Sequence, residues 1–156
     1  MFRALATFGL LHFDAGHGIP HGEMERALEL ERTLLEPQLL ATQVLAHQLS
    51  WSGDLEGARS RYHAVLAAWV ARDDPYQFDP LFQLALIEWR TGAWEAAAQY
   101  SDRAIEIVQE TGRDGWLPIL ELPLTAIAAH RGRVEEARRR SEEALADTSA
   151  AGNRAA

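Results

Sequence analysis

The chain has 156 residues, of which 47% are hydrophobic and 24% charged, an ordinary globular composition long enough for one domain or a short repeat array. Its formal net charge of −8 argues against nonspecific nucleic-acid binding, because each phosphate contact needs a basic partner. It contains no cysteine, which rules out disulfides and thiolate chemistry, and its longest obvious apolar run, Ala64 to Ala71, falls well short of the ~18 residues that cross a bilayer. The start of the chain lacks the apolar stretch and small-residue cleavage site of a secretory signal, so a cytoplasmic location is expected.

The first expected helix covers residues 2 to 14, with Leu5, Phe8, Leu11 and Phe13 on an apolar face and Gly9 as a weak point inside it. Ala15-Gly16-His17-Gly18-Ile19-Pro20 stops it. A second helix is predicted from about Pro20–Gly22 to Leu35, with Met24, Ala27, Leu28, Leu34 and Leu35 inward and Glu25, Glu29 and Glu36 outward. Pro37 suits the first turn of a third helix, about Gln38 to Ser52, carrying Leu39, Val44, Leu45, Leu49 and Trp51.

Gly53 is placed to end that helix in a left-handed conformation. The next helix opens at Asp54 and carries Leu55, Ala58, Tyr62, Val65, Leu66 and Trp69. The same pattern recurs 39 residues later from Gly92, as Trp94, Ala97, Ser101, Ala104, Ile105 and Val108. It recurs 40 residues further on from Gly132, as Val134, Ala137, Ser141, Ala144, Leu145 and Thr148. Steps of three and four describe a buried helical stripe, and a period near 40 belongs to arrays of helical hairpins. Ala58, Ala97 and Ala137 are small where the two helices of a hairpin would approach most closely.

Asp79-Pro80 reads as an N-cap followed by a first-turn proline for a helix ending at Arg90 or Thr91. Pro123, inside the expected helix from about Gly115 to Arg131, implies a kink or a late start. Arg72-Asp73-Asp74-Pro75, Thr111 to Gly115 and Gly152-Asn153 punctuate the hairpins. The expected fold is all-α: a right-handed array of about four antiparallel hairpins, near 2–36, 38–72, 76–111 and 115–149, in one repeat domain.

The glycine at each bend, the hydrophobe two residues on, the close-packing alanine and a later small residue (Val65, Ala104, Ala144), with Ala46 and Ala85 in the first helices, resemble the tetratricopeptide repeat (TPR). The longer period departs from the ~34-residue standard, and the second-helix aromatic is present only at Tyr62, being Ser101 and Ser141 elsewhere. The Gly-Ala-Trp-Glu-Ala-Ala and Gly-Arg-Val-Glu-Glu-Ala-Arg bends in an Ala/Arg-rich setting look like the helical-repeat region of large ATP-binding LuxR-family regulators of actinobacteria. That resemblance implies a piece of a transcriptional regulator acting as an interaction or sensing module. A stand-alone adaptor for a partner's peptide and a small-molecule effector domain are the alternatives. Its partners would be a protein, a peptide or other parts of the parent chain, with the uncovered apolar end of the last hairpin open to further repeats or to a second copy.

In such repeats the first helix of each hairpin lines a concave face. The resemblance thus assigns Gln43, His47, Trp51, Phe82, Leu86, Trp89, Arg90, Leu122 and His130 to a groove, with aromatic and arginine anchors for a ligand. Trp51 and Trp89 have a competing reading as filler between hairpins. His12, His17 and His21, with Asp14 and Glu23, are the densest set of metal-ligand types, but a structural site needs four converging ligands and this stretch reads better as a polar loop. Arg131, Arg133, Arg138, Arg139 and Arg140 are offset by Glu135 and Glu136 at i, i+4 spacing, so a self-neutralised solvated helix is expected. No nucleophile–base set, phosphate loop or cofactor motif occurs, and enzymatic activity is not expected.

Overall fold

The computed structural model describes residues 1–34 and 39–154, with side chains as far as residue 146. Leu35 to Gln38, which include the expected helix start at Pro37 and the end of the first expected hairpin, lie outside the described residues, as do Ala155 and Ala156. Among the described residues the chain is all-helical, and no helix is long and apolar enough to cross a membrane. It falls into two compact units, Met1–Ala68 and Trp69–Ala156.

In the first unit, α1 (Phe2–His12) continues into one wide π turn, Phe13–His17, and breaks where Gly16 and Gly18 take positive φ. The two glycines give the chain its reversal, a conformation in which any Cβ would be strained. The break falls at Gly16, inside the stretch where the helix was expected to stop. α2 (His21–Arg32) and α3 (Leu40–Ser52) both pack on α1, and α3 packs also on α2. Ala6, Met24, Ala27, Ala41 and Val44 form the core of this unit, with Leu5, Leu10 and Leu28 against it.

Two expectations for α3 are corrected. Leu39 precedes the helix in a left-handed conformation (φ 56°), and the buried face is Ala41, Val44, Ala46, Gln48 and Ser50, with Trp51 65% exposed. The reason is a residue on another helix. Glu31 of α2 is buried, and its carboxylate accepts hydrogen bonds from the Ala41 N–H (2.8 Å), the Thr42 N–H (3.1 Å) and the Thr42 hydroxyl (2.6 Å). These two amides are among the first-turn donors that no intrahelical carbonyl can satisfy, so Glu31 caps α3 from outside and sets its rotation. α3 ends at Gly53 (φ 96°) and α4 (Leu55–Val70) begins with Asp54 as its cap, accepting from the Gly57 N–H at 2.9 Å.

In the second unit α5 (Phe78–Thr91) and α6 (Trp94–Glu110) form a hairpin bent at Gly92 (φ 83°). α5 begins one residue before the expected cap: Gln77 stands at the N-cap and Asp79 and Pro80 lie in the first turn. A 3₁₀ turn, Asp114–Trp116, leads into the short α7 (Leu117–Leu120), then α8 (Leu122–His130). Pro118 and Pro123 each sit in a first turn, so Pro123 gives a late start. α8 packs against both α5 and α6, repeating the relation of α3 to α1 and α2. After Gly132 (φ 74°), α9 (Val134–Arg154) packs on α7 and α8 and runs through Gly152 and Asn153, where a break was expected. A glycine inside a helix costs only about 1 kcal/mol and does not oblige the helix to stop.

The repeated stripe is buried or half-buried throughout α4 and α6, with Ala58, Ala97, Ala104, Val65 and Val108 fully enclosed. On α9 it is not. Val134 is 63% and Leu145 69% exposed, and Ser141 faces outward, while Thr148 lies beyond the described side chains.

Candidate functional site

The expected groove residues are divided between the two compact units. In the first unit, His47 and Trp51 lie one turn apart on α3 and meet Phe13 and Asp14 of the π turn. The rings run Phe13, His47, Trp51, with centroids 6.4 and 6.2 Å apart, and His47 Nε2 lies 3.9 Å from Asp14 Oδ1, an ion pair whenever the imidazole is protonated. These four side chains line an open recess of about 510 Å³. Gln43 sits one turn earlier on the same helix, and its Nε2 is buried with no acceptor among the described residues. The π turn is what brings Phe13 and Asp14 to the recess, and no helical periodicity would have predicted it.

In the second unit, Trp89 and His130 come together with Trp94, which was not expected as a site residue. The His130 ring lies 5.9 Å from Trp89 and stacks on Trp94 at 5.7 Å with 22° between planes. Arg131 lies over the Trp94 ring at 5.7 Å and pairs with Glu95. Trp89 is half-buried, and its indole N–H is buried with no acceptor among the described residues. Trp51, mostly exposed, does not follow the filler reading. Arg90 is exposed and Leu86 half-buried.

Phe82 belongs to neither cluster. It is 8% exposed and lines a small hollow of about 100 Å³ with Phe78, Asp79, Gln83, Trp116, Ile119 and Leu120. Leu122, 51% exposed, opens onto a larger apolar hollow of about 440 Å³ between α7, α8 and α9, together with Pro118, Ile119, Thr125 and Leu145.

The histidine-rich stretch makes ring contacts. His12 lies 5.4 Å from Phe8 and 5.0 Å from His17, and its Nδ1 is 3.2 Å from the Gly18 carbonyl oxygen. Among the described residues no three His, Cys, Asp or Glu side chains converge as a metal site would require. Each of the five arginines of the basic run has a carboxylate partner: Arg131 with Glu95, Arg133 with Glu136, Arg138 with Glu135, Arg139 with Glu143, and Arg140 with Glu121 and Glu136. The expected Glu136–Arg140 pair is among these, and Arg139 has turned to Glu143 in place of Glu135. Burial works against the Arg140 charge, but Glu121 and Glu136 outweigh it and its pKa is raised.

Comparison with known proteins yields no relative: no protein-family model matches the chain, and no curated protein or solved structure is significantly similar to it.

Proposed function

We propose that this chain is an interaction or sensing module built of TPR-like helical hairpins, working in the cytoplasm as part of a bacterial transcriptional regulator and holding a protein or peptide partner. The observation that carries the reading is the His47–Trp51 recess. A tryptophan that is 65% exposed, flanked by a phenylalanine, an imidazole and a carboxylate, has the make-up of an interface anchor: a large rigid apolar face beside groups that fix orientation. The repeat reading is supported by the left-handed glycines at Gly53, Gly92 and Gly132 and by the shared packing of α3 and α8 on the hairpins before them. The self-paired arginines and the net charge of −8 favour a protein partner over nucleic acid.

The test is a peptide library displayed to the purified chain, with selected peptides titrated against the parent and Trp51→Ala. An anchor at the recess predicts a loss of about 2 kcal/mol, some thirtyfold in affinity, on truncation. Equal affinities for the two proteins would remove the recess from the reading. The regulator context is tested by the encoding gene: a nucleotide-binding segment and a helix-turn-helix on either side support it, and stop codons at both ends point to a stand-alone adaptor. The apolar hollow at Leu122 and Leu145 suits a further repeat or a second copy, and sedimentation at high concentration separates the two.

A further inference from the structure

Asp79 stands in the first turn of α5, half-buried, at the wall of the 100 Å³ hollow whose other walls include the rings of Phe78, Phe82 and Trp116. Phe78 and Trp116 meet at 5.2 Å with 45° between their planes, and Trp116 keeps 46% of its surface exposed at the mouth. Among the described residues no other ionisable side chain lines the hollow. Among the described residues the Asp79 carboxylate has neither an ion pair nor a hydrogen-bond donor, and burial pushes its pKa up. Arg113, three residues before Trp116, lies over the Tyr76 ring, 4.9 Å from its centroid. A partly desolvated carboxylate without a partner carries a cost, and such groups in clefts mark binding sites more often than chance.

The complement of one carboxylate and three aromatic walls is a cation with an apolar coat. Aromatic faces attract a cation through their quadrupole, and alkylated ammonium groups are the ligands that use several faces at once. The size agrees, since the hollow is well below the ~300 Å³ of ordinary ligand pockets and admits a small headgroup only. We propose that the hollow bounded by Asp79, Phe78, Phe82 and Trp116 binds an alkylated ammonium group, either of a free solute or of a methylated lysine side chain. The site is built wholly from the second unit and stands or falls independently of the recess at Trp51.

The test is a titration with choline, followed by the backbone amide resonances of residues 78–83, alongside its uncharged isostere 3,3-dimethylbutan-1-ol and a trimethyllysine peptide. The expected result is a saturable shift with choline or the peptide, none with the alcohol, and affinity reduced by about tenfold or more in Asp79→Asn and in Trp116→Leu, with helix content unchanged by circular dichroism. Tighter binding of the peptide assigns the group to a partner's side chain, and tighter binding of choline assigns it to a free solute. Linear, unsaturable shifts with both, equal binding of the alcohol, or unaltered affinity in the two variants would each overturn the assignment.

Discussion

Gln48 of α3 donates a 2.8 Å hydrogen bond from its Nε2 to the carbonyl oxygen of Gly9 in the middle of α1. Gln48 is fully buried, and a buried amide needs such a partner. Gly9 faces both neighbouring helices there, since a Cβ on it would meet Met24 of α2 and Gln48 of α3.

A Cβ on Gly9 would stand 2.3 Å from Met24 Sδ, and Met24 is 1% exposed. Overpacking costs about 1–3 kcal/mol, while alanine gains about 1 kcal/mol over glycine inside a helix, so Gly9→Ala should destabilise by up to about 2 kcal/mol. Urea unfolding of Gly9→Ala, Met24→Ala and the double variant checks it, because shortening Met24 should convert the Gly9 substitution from a loss to a gain.

Glu31 caps α3, and removing it takes the acceptor from two backbone amides and a hydroxyl. Glu31→Ala is expected to cost about 3 kcal/mol and Glu31→Gln distinctly less, since the amide oxygen still accepts. A midpoint for Glu31→Ala within experimental error of the parent would mean that α3 is capped by something else.

Among the described residues nothing lies within 4 Å of a Cβ built on Gly53, Gly92 or Gly132, yet all three have positive φ. The cost of alanine at each is therefore purely conformational, about 1–2 kcal/mol. Three similar losses in thermal or urea unfolding would fit three equivalent bends; a neutral substitution at one of them would single it out as different.

Ser101 is fully buried, and its hydroxyl has no partner among the described residues. It occupies the position that Tyr62 fills one repeat earlier. Ser101→Ala removes an unsatisfied polar atom and raises helix propensity, so a gain of about 1 kcal/mol is expected in the same assay.

Burial raises the Asp79 pKa above its ordinary value of 3.8, so the folded chain holds that proton more tightly than the unfolded chain. Stability from this group is thus present in acid and is lost as pH rises from the unfolded pKa through the folded one. Asp79→Asn should melt at a higher temperature than the parent at neutral pH, with the difference closing as pH falls below 4. A variant that melts lower at pH 7 would show that the ionised carboxylate has a partner in solution.

The sequence by itself determined the helical nature of the chain, the glycine bends and the register of the stripes on α4 and α6, because these depend on contacts three or four residues apart and on backbone conformations that only glycine takes cheaply. It also marked Pro123 as a kink or a late start, and the structure takes the second. The rotation of α3, which leaves Trp51 outside and buries Gln48, was decided by Glu31, ten residues away and on another helix. The meeting of Phe13 and Asp14 with His47, of Trp94 with His130, and of Asp79 with Trp116 likewise required the tertiary structure. Local periodicity fixes which face of a helix is apolar, but which groups gather around a hollow depends on side chains brought together by packing between elements, and no spacing in the chain encodes that directly.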